Sequence, residues 1–169
     1  MKQIFRRISA IALLGAASLT HAVEPGASAP AFSLPGIANV PDDKAINLAD
    51  YRGQVVYVDF WASWCGPCRR SFPKMQELRE KFGEWGFEVI AINLDENERD
   101  AQQFLNSHPV DFPIAWDPKG DVALEYQLKG MPSAYIVDQQ GQVRQVVVGF
   151  DDYRDATLIE DVVTQLIGL

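Results

Sequence analysis

Two cysteines, Cys65 and Cys68, are the only ones in the 169-residue chain, and just Gly66 and Pro67 separate them. Thiols at this spacing on the first turn of a helix can close into a disulfide and open again. Exchange also requires one thiol to ionise at working pH, and the free N–H groups and dipole at a helix N-terminus lower a thiol pKa below roughly 8.5. The pair therefore predicts reversible thiol–disulfide exchange, with Cys65 as the attacking thiol and Cys68 as the more buried resolving thiol.

Other uses of the pair have less support in the sequence. A structural disulfide at this spacing closes too small a loop to remove much chain entropy. Structural zinc usually takes four ligands, whereas the chain has no second cysteine pair and His108 is far along the sequence, so we predict no metal site of this kind. Copper(I) needs only two thiolates. A copper(I)-binding assembly factor therefore remains an alternative, as does a thiol oxidase that uses the same pair.

An acid, Asp59, lies inside the apolar run "QVVYVDFWA" of residues 54–62, shortly before Cys65. The run is β-branched and apolar at successive positions, which predicts a strand covered on both sides, as in a parallel or mixed sheet. An unpaired charge is costly there, so we expect burial to favour the protonated carboxyl. A carboxyl near a dithiol can pass a proton to or from Cys68. Alternatively, Asp59 caps a helix or meets water at the end of the strand.

The periodicity of the chain predicts the elements that position these residues. After the cysteines, apolar side chains recur at helical spacing up to Phe82, and Gly83 can cap the end of this helix. The other predicted elements are short strands within 31–34 and 45–48, a strand at 87–94, helices at 97–107 and 120–128, a hairpin over 133–150 and a helix over 154–168. This order indicates an α/β domain with helices on both faces of a central sheet.

Length and charge narrow the classes of function. The 169 residues suit one domain with a core of its own. The formal net charge of −8 makes the chain a poor candidate for binding nucleic acid or an anionic membrane surface. We therefore expect no nucleic-acid partner.

Residues 1–22 have the three-part pattern of a secretory signal peptide. A basic start is followed by the apolar run "ISAIALLGAASL" and by the small residues Thr20 and Ala22, which predicts cleavage after Ala22. The run is shorter than the roughly 20 residues that span a bilayer, although an uncleaved membrane anchor is the alternative. Cleavage leaves a domain over 23–169 with a net charge of −11, because three basic residues and no acid are removed. We expect a periplasmic protein.

Pro132 in "GMPSAYIVD", residues 130–138, directly precedes a predicted strand. Spacing alone favours a trans bond before any proline. A cis bond here would expose the preceding backbone N–H and C=O groups at a sheet edge. Those groups can pair with an extended substrate chain by strand addition.

The stretch "VDFWASWCGPC" closely resembles the active-site segment of thioredoxin-fold proteins. In the same way, "GMPSAYIVD" resembles their cis-proline loop, and "VVVGF" resembles the glycine-containing strand that follows. The lead-in "GASAPAFSL" and the 64 positions from Cys68 to Pro132 resemble the TlpA-like or ResA-like branch. The resemblance implies a thioredoxin-like α/β fold, with a central mixed β-sheet flanked by helices and an extra helix and strand at about 95–120.

The same resemblance implies an extracytoplasmic thiol–disulfide reductase that serves cytochrome c maturation or metal-centre assembly. It implies a redox-active disulfide between Cys65 and Cys68. The substrate-binding positions that it implies are Trp64, Gly66, Pro67, Met131 and Pro132. We expect a monomer without a cofactor that reduces protein disulfides and is recharged by a membrane-bound thiol electron donor.

The chain departs from the ResA-like pattern at two positions. ResA-like proteins typically have a glutamate three residues after the second cysteine, where this chain has Ser71. They also tend to lack an acid at the Asp59 position, which thioredoxin has. The lysine that partners this aspartate in thioredoxin aligns with Ala91. The site therefore resembles thioredoxin within a TlpA-like frame, and its Gly-Pro dipeptide implies a potential of roughly −270 mV, like that of thioredoxin.

Overall fold

The computed structural model describes residues 23–41 and 44–169, so the predicted signal segment 1–22 lies outside the described residues. The strands are β1 (Ser33–Ala38), β2 (Ala45–Asn47), β3 (Val55–Trp61), β4 (Phe87–Asn93), β5 (Ile114–Trp116), β6 (Ser133–Val137) and β7 (Val143–Val148). The helices are α1 (Cys68–Phe82), α2 (Glu98–Ser107), α3 (Asp121–Glu125) and α4 (Arg154–Ile167), with short 3-10 turns at Leu48–Tyr51 and Gly83–Trp85. Within the described part of the chain, no helix has both the length and the apolar character needed to cross a bilayer.

The strands form one mixed sheet in the order β2-β1-β5-β4-β3-β6-β7. Strands β3, β4 and β5 run parallel to one another, whereas β6 pairs antiparallel with β3, and β7 with β6. Every residue of β3 is buried. The mixed sheet and the two-sided covering of β3 that the apolar run predicted are therefore confirmed.

The two faces of the sheet are covered in different ways. Helices α1, α2 and α4 pack on one face, where their apolar side chains join a core that also holds both cysteines. On the other face, the entry segment with Ala29 and Phe32, the strand β2 and the short helix α3 form the second core. Helices thus lie on both faces, as predicted, but irregular chain does much of the covering on the second face.

Helix α1 packs its apolar stripe onto the sheet as predicted. Its large buried apolar side chains are Phe72, Met75, Leu78 and Phe82. Burying a side chain of this size contributes about 1.5–3 kcal/mol relative to leaving it exposed. The N-cap residue Pro67 makes no side-chain hydrogen bond, so packing rather than capping fixes α1 and presents its N-terminus at the edge of the sheet.

The chain leaves α1 in two steps. Gly83 ends the helix, but its φ of −57° is right-handed, and the chain continues into a 3-10 turn. The left-handed residue is Gly86, with a φ of +85°, and its carbonyl accepts a hydrogen bond of 2.8 Å from the Val55 N–H. A glycine adopts this conformation without steric cost, so Gly86 rather than Gly83 turns the chain into β4.

The extra helix and strand predicted at about 95–120 are present as α2 and β5. Phe104 and Leu105 of α2 are buried in the first core. Strand β5 pairs parallel with β4 and antiparallel with β1. The insertion therefore widens the sheet and joins the N-terminal β1–β2 hairpin to it.

Candidate active site

Cys65 and Cys68 form a disulfide just before and at the start of α1, with their Cα atoms 5.3 Å apart. The regular helix begins at Cys68, later than the spacing predicted, and Gly66 and Pro67 form a turn before it. The Cys68 N–H donates to the Cys65 sulfur at 3.3 Å. Cys65 is 4% exposed and Cys68 is fully buried. A helix N-terminus and a direct N–H donor stabilise a thiolate, and the Cys65 sulfur alone receives that donor.

The surface beside Cys65 carries an unusually exposed aromatic residue. Trp64 is 68% exposed, Gly66 is exposed, and Pro67 is half-buried. A hydrogen bond of 3.0 Å from the Cys65 N–H to the Ala62 carbonyl closes the turn that precedes the pair. Three of the five residues predicted to contact substrate thus adjoin Cys65 in the chain, and one of them is a large exposed aromatic side chain.

The bond between Met131 and Pro132 is cis, in agreement with the resemblance to a cis-proline loop. Ser133 pairs with Phe60 of β3, so Pro132 lies beside the end of β3 from which the chain continues to Cys65. The Pro132 carbonyl accepts the Gly149 N–H at 2.8 Å. Between residues 44 and 169, no backbone hydrogen bond to Met131 is present. The Met131 backbone is therefore available to an extended partner chain.

Asp59 is 1% exposed, and neither carboxyl oxygen has a hydrogen-bond partner among the described residues. Its neighbours in the sheet are Ala91 of β4 and Ala134 of β6, so the position that aligns with the thioredoxin lysine is indeed beside Asp59 but carries no charge. Burial raises the pKa of Asp59 well above its ordinary value. The carboxyl is therefore neutral at pH values where an exposed aspartate is ionised.

The face of β3 that carries Asp59 is the face on which the cysteines lie. Tyr57 and Trp61, two residues before and after Asp59, belong to the core cluster that contains Cys65 and Cys68. Burial raises the pKa of Tyr57 well above its ordinary value, and the negative charge of Asp59 raises it further. The structure thus brings Asp59 to the same layer as the dithiol, and the alternative that it caps a helix does not apply to its place within β3.

An aromatic cluster under the cysteine pair joins three elements. Trp61 of β3 lies with its ring centroid 4.8 Å from both Phe72 of α1 and Phe104 of α2. Phe72 and Phe104 also contact each other at 5.2 Å, edge to face. The Trp61 indole N–H, like the Asp59 carboxyl, has no partner among the described residues. This packing holds α1 and the inserted α2 against the strand that leads to the active site.

A second buried acid, Asp95, escaped the sequence interpretation. Its carboxylate accepts hydrogen bonds from the Ser63 N–H at 2.9 Å, the Ser63 hydroxyl at 2.9 Å and the Asn93 amide at 2.7 Å. The Trp116 indole N–H donates to the Asp95 carbonyl at 2.7 Å. Asp95 therefore ties the loop before Cys65 to the ends of β4 and β5. The sequence signal that could have identified Asp95 is an acid directly after a predicted buried strand. Adjacent parallel strands end at the same edge of a sheet, so such an acid lies near the end of the neighbouring strand.

Ser71, which stands where ResA-like proteins typically have a glutamate, is 1% exposed. Its hydroxyl donates to the Cys68 carbonyl at 3.1 Å. The side chain is thus engaged with the helix backbone. Within β3, Asp59 is the one acid, and its neighbours Tyr57 and Trp61 place it on the cysteine-bearing face.

Comparison with known proteins agrees with this geometry. The AhpC/TSA family matches residues 25–146. The thiol-disulfide oxidoreductase ResA of Oceanobacillus iheyensis is 35% identical over 124 residues, which cover 73% of this chain and 65% of that protein. The ResA of Bacillus thuringiensis subsp. konkukian is 32% identical over 155 residues, with 86% and 87% covered.

A solved structure extends the agreement to three dimensions. A crystal structure assigned as the thiol:disulfide interchange protein DsbE of Chlorobium tepidum is 41% identical to this chain. It superposes with a TM-score of 0.81 over 87% of this chain and all of that one. The disulfide at the start of α1, the cis-proline loop and these relatives lead to one conclusion: the chain belongs to the AhpC/TSA family, as a thioredoxin-fold thiol-disulfide oxidoreductase of the ResA/DsbE type.

Proposed function

We propose that the chain is exported and reduces disulfides of protein substrates through Cys65 and Cys68. The observation that carries this proposal is the asymmetry of the pair at the N-terminus of α1. Cys65 keeps 4% exposure and its sulfur accepts the Cys68 N–H, whereas Cys68 is fully buried. The sulfur that must attack a substrate thus belongs to the less buried cysteine and has an N–H donor that would stabilise its thiolate.

The reaction takes two exchange steps. In the reduced protein, the Cys65 thiolate attacks one sulfur of a substrate disulfide, which breaks that bond and releases the other substrate sulfur as a thiolate. The product is a mixed disulfide between Cys65 and substrate. The Cys68 thiol then loses its proton and attacks the Cys65 sulfur, and the remaining substrate thiolate leaves. Two electrons pass to the substrate, and the Cys65–Cys68 disulfide present in the structure is the oxidised product.

Asp59 is the group that we assign to the proton of Cys68. The Cys68 sulfur has no contact with solvent, so its proton needs an acceptor inside the protein. Asp59 lies on the same face of β3 as the cluster that holds Cys68, and burial raises its pKa. A carboxylate with a raised pKa is a stronger base than an exposed one. We propose that the ionised form of Asp59 accepts this proton during release of substrate, directly or through a water, and so becomes the neutral carboxyl.

The predicted substrate contacts divide between two sides of the disulfide. We propose that the exposed indole of Trp64, with Gly66 and Pro67, contacts the substrate around its reactive sulfur. The backbone of Met131, held by the cis bond to Pro132, pairs with an extended segment of the substrate. Trp64 exposes 68% of its surface, and an exposed aromatic residue beside a reactive group is typical of a binding surface.

Export and recharging complete the proposal. The pattern of residues 1–22 supports secretion to the periplasm, with the domain over 23–169 acting there. Because each turnover leaves the pair oxidised, a membrane-bound thiol donor must reduce it again. The resemblance implies that such a reductase would act in cytochrome c maturation or metal-centre assembly.

Catalysed reduction of insulin by dithiothreitol tests the activity. We expect the wild type to accelerate it and Cys65→Ser to abolish the acceleration. A copper(I)-binding factor would instead bind one Cu(I) that Cys65→Ser loses, and would show no turnover. The reduction potential then gives the direction: we expect roughly −270 mV, and a value near roughly −120 mV would make the protein an oxidase.

Covalent trapping tests the class of substrate. In Cys68→Ser the mixed disulfide on Cys65 has no resolving thiol, so substrates accumulate on the protein. We expect disulfide-linked periplasmic proteins that are released by dithiothreitol. The double variant Cys65→Ser/Cys68→Ser is the matched control, and a partner that it also retains is not an exchange substrate.

A further inference from the structure

A groove made of two adjoining cavities runs between α1 and α2 on one side of the disulfide. The first cavity is about 390 Å³ and is lined by Ser63, Arg69, Asp100, Gln103, Phe104, Ser107 and His108. The second cavity is about 300 Å³ and is lined by Phe72, Pro73, Gln76, Ser107, His108, Pro109 and Val110. Because Ser107 and His108 line both, the two cavities form one continuous surface, which we name the α1–α2 groove.

The first cavity of the groove is lined by residues that flank the cysteine pair in the sequence. Ser63 lies two residues before Cys65, and Arg69 directly follows Cys68. The sheet order places β4, and with it the inserted α2, on one side of β3, whereas β6 and its cis-proline loop lie on the other side. A chain segment that passes over the disulfide from the cis-proline loop therefore continues into the α1–α2 groove.

The end of the groove nearest the disulfide carries a cationic side chain, Arg69, without an ion-pair partner among the described residues. Arg69 is exposed, and its side chain has no hydrogen bond or ion pair with any residue in 23–41 or 44–169. The next residue, Arg70, is engaged instead, with the Phe150 carbonyl at 3.4 Å and Asp152 at 3.4 Å. Asp100 lines the same cavity from α2 but does not pair with Arg69. In a chain with a net charge of −8, a free guanidinium beside the reactive pair favours an acidic partner group.

The far end of the groove is apolar. Phe72, Pro73, Pro109 and Val110 line it, and the His108 ring stacks on Phe104 at 4.3 Å between the two cavities. Apolar concave surfaces with a few polar groups are typical ligand sites. The groove thus offers a charge near the disulfide and an apolar cavity farther away, in the order in which an extended chain would meet them.

We infer that the α1–α2 groove is a second substrate subsite, which binds the flank of the substrate cysteine that leads away from the cis-proline loop. It takes an acidic side chain against Arg69 and an apolar side chain in the second cavity. The inference rests on the proposed function, because it names which protein disulfides the same site prefers. The occupant is the substrate polypeptide itself, since residues that flank the reactive cysteines line the near end of the groove.

Synthetic peptides with one internal disulfide test the charge preference. In one peptide Glu stands beside the reactive cysteine, and in the matched peptide Lys stands there. Both peptides have Leu farther along on the same side. One such pair has these residues before the cysteine, and a second pair has them after it. On one flank, we expect the wild type to reduce the Glu peptide with a kcat/KM at least about threefold above that of the Lys peptide. In Arg69→Glu, we expect this ratio to fall to one or below.

The ratio of two peptides in one protein separates recognition from thiol reactivity. A change in the reactivity of Cys65 would alter both peptides equally and leave the ratio unchanged. Arg99→Glu is the matched control, because Arg99 is an exposed arginine of α2 that does not line the groove, and we expect it to keep the wild-type ratio. Replacement of Leu by Ser in the Glu peptide should lower kcat/KM at least about threefold through the apolar cavity.

A wild-type ratio near one on both flanks, or an equal effect of Arg69→Glu on both peptides, would overturn the subsite. An unchanged kcat/KM after the Leu-to-Ser replacement would remove the apolar cavity from it. Failure of the wild type to reduce any of the peptides or insulin is a different result. It would overturn the proposed reductase activity, and the subsite with it.

Discussion

Asp59 and Asp95 are two buried aspartates near one dithiol, but their surroundings are opposite. Asp95 is 4% exposed, and its carboxylate accepts three hydrogen bonds from Ser63 and Asn93. Asp59 is 1% exposed, and its carboxyl accepts none from the described residues. The same side chain is therefore satisfied at one position and unsatisfied at the other.

The surroundings of the two acids decide which one positions the site and which one can move a proton. A buried carboxylate that accepts several hydrogen bonds fixes the position of the groups that donate to it. A buried carboxyl without partners favours the neutral form and has a raised pKa, so it can exchange a proton with a neighbouring group. We accordingly expect Asp95 to hold the loop before Cys65 and Asp59 to serve the chemistry of Cys68.

Replacement of Asp59 by asparagine should give the largest effect among the tests of this contrast. The amide has nearly the same shape but cannot take a proton from Cys68. We expect disulfide reduction to slow by about 10- to 100-fold, toward the lower end of what general acid–base catalysis contributes. Insulin turnover measures the rate, and near-UV circular dichroism checks that the fold is retained. A rate within twofold of wild type would remove Asp59 from the proton transfer.

Replacement of Asp95 by alanine should act mainly on stability. The Ser63 N–H, the Ser63 hydroxyl and the Asn93 amide would lose their acceptor, and leaving buried donors unsatisfied costs about 1–3 kcal/mol. Urea unfolding measures this loss. We expect turnover to fall less than in Asp59→Asn, because no proton-transfer group is removed. Asp95→Ala that leaves stability unchanged and slows turnover as much as Asp59→Asn would contradict the assignment of different roles to the two acids.

The free energy of unfolding should fall as pH rises through the range in which Asp59 ionises in the folded protein. Burial raises its pKa in the folded protein, so the folded state holds the proton over a pH range where the unfolded state has lost it. Stability is then fully present below the ordinary pKa of about 3.9 and is lost as pH rises through the raised value. Inside that window the slope is at most about 1.4 kcal/mol per pH unit.

Urea unfolding of wild type and Asp59→Asn from pH 4 to pH 9 measures this dependence. The variant lacks the buried acid, so its stability relative to wild type should grow as pH rises. The comparison cancels groups that both proteins share. A constant difference over the whole range would mean that Asp59 ionises in the folded protein as easily as in the unfolded chain.

Replacement of Ser71 by alanine should give the smallest effect. Its hydroxyl donates to the Cys68 carbonyl, and a neutral hydrogen bond of this kind contributes about 0.5–1.5 kcal/mol. We expect turnover to change by less than about threefold, as measured with insulin. An effect as large as that of Asp59→Asn would show that Ser71 takes part in the exchange reaction and would contradict this expectation.

Local patterns predicted the elements that carry the site. The apolar run with Asp59 inside it and the helical spacing after Cys68 each have a signal within a short window. The insertion at about 95–120 followed from the resemblance. The position of the thioredoxin lysine aligned with Ala91, and the sheet pairs Ala91 with Asp59. These features depend on residues close together in the chain or on a resemblance in the same stretches.

Other features of the fold and the site depend on contacts between residues that are distant in the chain. Ser63 and Asp95 meet only because β3 and β4 are parallel neighbours, and no pattern within either segment specifies a side-chain hydrogen bond. The choice of Gly86 over Gly83 as the left-handed residue depends on how the chain must enter β4. The cis bond before Pro132 followed from the resemblance, because spacing alone favours trans.

The pH dependence of the resolving step is the most direct measure of whether Asp59 receives the Cys68 proton. Stopped-flow measurement follows release of a fluorescent peptide from its mixed disulfide with Cys65, between pH 6 and pH 9, in wild type and Asp59→Asn. We predict that the wild-type rate follows the ionisation of a second group besides Cys68, and that Asp59→Asn is slower and lacks this ionisation. Superimposable profiles in the two proteins would contradict the assignment of Asp59 as the group that receives the Cys68 proton.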